Sequence, residues 1–149
     1  MRLDEWANQH RDDLVAQPTR VGLIADLRAV ADREMRDAET VASDDGRLGH
    51  AHAACIAIAA AALAVRGYRV RQHSSAHHWQ LIESLHYTLD LSSSEVRELQ
   101  EFRRKRSRSV YERAGIVTRT EADAALDAAR RLRDRFRAWL SSECPDLVG

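Results

Sequence analysis

The feature that most restricts this chain is the apolar run at residues 51–65, in which six alanines, one isoleucine and one leucine fill positions 57 to 64. A helix that is apolar on every side must be covered on every side. The run is shorter than the about 20 residues that a bilayer core requires, and it contains His52. It therefore reads as a buried helix at the centre of a protein. Small alanine side chains let other helices approach closely, either within the chain or across a self-complementary dimer seam.

The rest of the chain is suited to surround such a helix. Aromatic residues make up only 5% of the sequence, with six glycines and two prolines, which favours helices over sheets. Ile24, Leu27, Ala31, Met35, Ala38 and Val41 recur at three-and-four spacing and lay one apolar face along a long helix at residues 21–42. Ser43-Asp44-Asp45-Gly46 reads as a turn, and Gly67 suits a left-handed helix cap. Trp79, Ile82, Leu85 and Leu89 mark a shorter helix. Ser92 with Glu95, and Thr118 with Glu121, have the spacing of capping boxes that open two further helices. In the second of these, Ala122, Ala125, Ala129, Leu132, Phe136 and Leu140 make one face apolar, and Pro145 closes it. An N-terminal helix at residues 3–16 stops before Pro18 and reads as weakly anchored. The expectation is one all-α domain over residues 1–149, an up-and-down antiparallel bundle of five to six helices.

The 23 basic and 23 acidic residues cancel, so any attraction to a polyanion must be local. Cys55 and Cys144 make no framework of spaced pairs, which suggests a reducing compartment. The N-terminus lacks the apolar core of a signal peptide and carries acids unsuited to a transit peptide. A cytoplasmic location without membrane attachment is the expectation.

The local charge stands at residues 103–113, where six basic side chains face the single acid Glu112. A solvated helix face is the bland explanation. Periodicity counts against it, because Val96, Leu99, Arg103, Arg106 and Val110 share the three-and-four stripe of the core. An inward guanidinium needs a carboxylate, carbonyls, a phosphate or a dimer mate, since leaving it unpaired costs several kcal/mol. On the adjoining face Arg104, Ser107, Arg108 and Tyr111 place donors beside an aromatic ring, a combination that suits an RNA strand.

Ala54-Cys55-Ile56-Ala57-Ile58-Ala59-Ala60-Ala61-Ala62-Leu63, then Arg66-Gly67-Tyr68-Arg69, His77-His78, and Arg103-Arg104-Lys105-Arg106-Ser107 with Tyr111, resemble small prokaryotic members of the HEPN family (higher eukaryotes and prokaryotes nucleotide-binding). The resemblance extends over residues 30–140. It implies a helical bundle, commonly a homodimer, often encoded with a minimal nucleotidyltransferase in toxin-antitoxin or defence pairs. Active relatives are metal-independent RNases in which an arginine precedes a histidine by four to six intervening residues. Here Tyr111 stands in the histidine's place, and its ordinary pKa near 10, against about 6.5 for histidine, makes proton exchange at neutral pH difficult. If the chain cleaves RNA, Arg106 is expected to stabilise the phosphate, with Tyr111 or an imported His77 or His78 moving protons. Arg103, Arg104, Ser107, Arg108, His77 and His78 then hold RNA. A non-catalytic adaptor for a nucleotidyltransferase or other protein partner is the competing expectation.

His50, His52, His73, His77, His78 and His86 fall within 37 positions, but no helical His-x-x-x-His pair and no second nearby cysteine accompany them. Structural roles such as helix capping are expected, with no metal or other cofactor. Tyr68 reads as a plug at the end of the bundle, and Trp79 and Trp139 as packing.

Overall fold

A computed structural model describes residues 1–72 and 77–147. His73 lies outside them. The chain folds as an all-α helical bundle with one small sheet: α1 (Leu3–Gln9), β1 (Leu14–Ala16), α2 (Val21–Thr40), α3 (Asp44–Val65), β2 (Tyr68–Val70), α4 (His77–Thr88), α5 (Ser93–Tyr111), α6 (Arg119–Glu143) and a final 3-10 turn, Pro145–Leu147.

The alanine-rich helix α3 occupies the centre and packs against α2, α4, α5 and α6. It extends seven residues upstream of the apolar run, to Asp44. By length and composition it could cross a membrane, yet 72% of its most apolar window is buried by the other helices. The cluster expected as a turn is instead the start of this helix. Ser43 is its N-cap and accepts a hydrogen bond from the Gly46 amide at 3.0 Å, and Asp44 and Asp45 put acids at the positive end of the helix dipole. Gly46 is needed there, because a Cβ would meet Ser43 Oγ at 2.7 Å and Val41 Cγ2 at 2.8 Å.

Short connections make sequential helices antiparallel. Arg47 near the start of α3 reaches the Ala38 carbonyl near the end of α2, while His50 meets Glu34 one turn back. Likewise α5 and α6 are joined by Arg131 to Glu98, Arg135 to Glu95 and Lys105 to Glu121. Helices α3 and α6, which are not sequential, run parallel, linked by Arg47 to Asp123 at one end and Arg66 to Glu143 at the other. Both capping boxes form as the spacing predicts, at Ser92 with Glu95 and Thr118 with Glu121.

The N-terminal segment differs from its sequence expectation. Helix α1 ends at Gln9, and residues 14–16 are a strand paired antiparallel with β2 in the register Leu14 to Val70, Val15 to Arg69 and Ala16 to Tyr68. Extended backbone is what a β-branched residue close before Pro18 prefers, and the partner strand begins just after Gly67, whose φ of +86° makes the left-handed reversal. The segment is pinned by burial: Trp6 is 5% exposed and its ring stacks on Tyr87 with centroids 5.0 Å apart. Tyr68 joins it from β2, its hydroxyl donating to Asp4 at 2.8 Å. A Trp6→Ala variant should lose about 3 kcal/mol of stability in urea denaturation, whereas a loosely attached helix would leave the midpoint unchanged.

Candidate nucleic-acid interface

The capping box at Ser92 fixes the start of α5, and its first turns turn Val96, Leu99 and Gln100 into the bundle. One turn further, the same side carries Arg103 and Arg106, both half-buried. The stripe continues into buried Ser109, whose hydroxyl donates to the Arg106 carbonyl at 2.9 Å. It does not continue into Val110, which is 54% exposed.

The basic residues at 103–108 on α5 divide into two groups. Arg104 pairs with Glu101, Lys105 with Glu121 and Arg108 with Glu112, so these three spend charge on nearby carboxylates. Arg103 and Arg106 form no ion pair with a carboxylate among the described residues. Arg103 Nε donates to Gln100 Oε1 at 2.7 Å. Gln100 is itself buried and fixed by its amide nitrogen, which donates to the Trp79 carbonyl at 3.1 Å and to Glu83 Oε2 at 2.8 Å. Burial and the adjacent Arg104 lower the Arg103 pKa from its ordinary value, opposed by Glu83, and a guanidinium remains charged in any case.

What the inward arginines face is histidine. His52, the one strongly polar side chain of the apolar run, lies buried on α3 with its Nε2 3.4 Å from Nδ1 of His78 on α4. The rings of His77 and His78 follow at a centroid separation of 5.5 Å, and His77 Nδ1 lies 3.2 Å from the Arg71 carbonyl. Burial first, then the neighbouring His78, Arg106 and Arg103, push the pKa of His52 down to about 3. His78, at the rim, is lowered in turn by partial burial, His77, Arg106 and Arg103. Both imidazoles are therefore neutral at neutral pH, and a neutral imidazole can accept a proton.

Sequence reasoning gathered Arg103, Arg106, His77 and His78, and the fold brings Arg103, Arg106 and His78 together where α4 and α5 meet α3, with His77 beside His78. It missed His52, assigned to a structural role, although a lone histidine inside an otherwise apolar run was the available signal. It also placed Tyr111 with Arg106, which the helix separates. Five residues along an α-helix amount to about 140° of rotation. Arg106 turns toward the histidines, while Tyr111 is 81% exposed on the outer face with Arg104, Ser107 and Arg108. The histidines do not form a single cluster: His50 meets Glu34, and His86 Nδ1 lies 2.8 Å from the Leu91 carbonyl. Both cysteines are free, and burial pushes the Cys55 thiol up to about 12, too high for a nucleophile at neutral pH.

Compared with family models, curated proteins and solved structures, the chain matches none. The fold and the site by themselves define an all-α bundle bearing a cationic face backed by neutral histidines.

Because the folded pKa of His52 lies below its value of 6.5 in the unfolded chain, the unfolded state takes up a proton that the folded state refuses. Stability should be fully present above pH 6.5 and fall by about 1.4 kcal/mol per pH unit as pH drops toward 3. Urea denaturation of wild type and a His52→Gln variant at pH 7 and pH 5, in chelator-containing buffer, checks this: the variant should lose markedly less on acidification.

Proposed function

We infer that this chain is an RNA-directed protein of the HEPN type, in which Arg103 and Arg106 hold a phosphate and His78 serves as the proton acceptor. The observation that supports this reading is Arg106: a half-buried guanidinium set against neutral imidazoles, with no carboxylate pairing it among the described residues. Such a group has unsatisfied charge directed at the place where an anion would sit. Metal-independent cleavage needs a base for the attacking ribose hydroxyl, a cation for the phosphate and a proton for the departing 5′ oxygen, which the imidazolium formed at the base returns directly or through water. His78 and Arg106 are of the right types and lie on facing helices, so an imported histidine takes the role that Tyr111 fills less well. Tyr111, Ser107, Arg104 and Arg108 extend the surface outward, where an exposed tyrosine is a platform for an unpaired base. Exposed Val110 and Tyr111 at the end of α5 also favour a homodimer in which two such helices meet across a two-fold axis.

A second reading has its own support. A groove of about 1160 Å³ runs between α2, α3 and the small sheet, with Leu23, Leu27, Val30 and Ile56 among its walls and Arg20 and Arg69 at its rim. An adaptor that docks a nucleotidyltransferase or another protein would use a surface of this kind.

An RNase assay with chelator present, beside RNA-binding titrations at two salt concentrations, tests the proposal. Arg106→Ala should lower cleavage about 100-fold and reduce the salt dependence of binding, His78→Ala should abolish cleavage with binding retained, and Tyr111→Ala should weaken binding about tenfold. Unchanged cleavage and binding in both Arg106→Ala and His78→Ala would overturn it. Wild type that neither binds nor cuts RNA, yet forms a stable complex with a nucleotidyltransferase, would establish the adaptor instead.

A further inference from the structure

Away from the histidine-backed face, α2 and α3 bring together three groups that the RNA reading does not use. Glu34 and Asp37 stand one turn apart on α2, and His50 reaches them from α3. One ligand atom from each lies within 4.8 Å of the other two, all three residues being half-buried. His50 Nδ1 is 2.7 Å from Glu34 Oε2. His50 and His52 are two residues apart on one helix, about 200° of rotation, so the two sites open on different sides of α3.

The electrostatics of this cluster are incomplete. Two carboxylates converge, and the Glu34 side chain is only 18% exposed. Asp37 has no side-chain partner among the described residues. The arginine paired with Glu34 is Arg33, 3.6 Å from Glu34 Oε1 but 60% exposed, and an exposed pair of that kind contributes little. Arg47, the other arginine close by, is committed to Asp123 and to the Ala38 carbonyl. A divalent cation would neutralise both carboxylates at once.

We propose that Glu34, Asp37 and His50 form a binding site for a divalent transition-metal ion, with Zn²⁺ the best match. One imidazole nitrogen with two carboxylate oxygens is a borderline donor set, which suits zinc rather than the all-oxygen preference of calcium or magnesium. Ligands about 2.1 Å from a tetrahedral ion lie about 3.4 Å apart, so the three groups close on the ion by side-chain rotation while the helices stay in place. The imidazole exchanges its contact with Glu34 for the metal, and water completes the shell. Because the ligands come from both α2 and α3, the ion clamps the two helices together.

The test uses the full chain stripped with chelator and titrated with Zn²⁺ by calorimetry, and with Co²⁺ by visible absorption as a coordination probe. The expected result is one equivalent bound, a melting temperature that rises with Zn²⁺ concentration, and a tetrahedral Co²⁺ spectrum. Asp37→Asn and His50→Gln should each weaken binding by more than the about 10- to 100-fold that loss of an outer-shell partner costs, while His52→Gln and His78→Gln bind as wild type. Absence of Zn²⁺ binding below millimolar concentration would overturn the proposal. So would binding that survives Asp37→Asn and His50→Gln, or that is lost in His78→Gln. The RNA reading stands or falls separately, since its assay is run with chelator.

Discussion

The structure depends on covering α3. Its alanines carry so little side chain that α2, α4, α5 and α6 all come close to a single helix, and dispersion contacts and excluded water then act along its length. The larger buried residues, Leu48, Ile58 and Leu63 on α3 with Met35, Ile82, Leu85, Phe136 and Leu140 opposite, fill the spaces that the alanines leave. Any polar atom in such a helix must be provided for by its neighbours. His52 is the atom-bearing exception, and α4 and α5 bring His78, Arg103 and Arg106 around it. The chemistry of the site is thus a consequence of how the core closes.

The same constraint explains how charge is distributed on α5. Arg104, Lys105 and Arg108, which lie toward α6 or solvent, find carboxylates at Glu101, Glu121 and Glu112. Where the helix faces α3, Arg103 and Arg106 meet apolar side chains, imidazoles and the Gln100 amide, and form no ion pair with a carboxylate among the described residues. Gln100 compensates in part by ordering Arg103 from below.

Much of the architecture was legible in the sequence because it depends on local rules. The 3.6-residue period gave α2 and α6 to within a few residues, and the Ser92 and Thr118 capping boxes located two helix starts. The N-terminal segment was harder to read, since residues 14–16 become a strand only by pairing with residues 68–70, a contact that no local pattern encodes. The start of α3 was misread because Ser-Asp-Asp-Gly is equally good turn and N-cap chemistry, and only the packing of Gly46 against Val41 decides between them. For the site, periodicity found the inward position of Arg103 and Arg106, but linear spacing suggested a partnership with Tyr111 that helical rotation undoes. The meeting of His52 with His78, and of His50 with Glu34 and Asp37, arises from helices crossing in space.

The concentration of positive charge near the C-terminal end of α5 has a further physical consequence. That end of a helix carries the negative pole of its own peptide dipoles, equivalent to about half an elementary charge, which favours the last-turn cation Arg108. Since the chain as a whole is neutral, the remaining surface must hold a matching surplus of acid. A neutral chain with its charge separated in this way would feel torque rather than appreciable net attraction in the field of a polyanion.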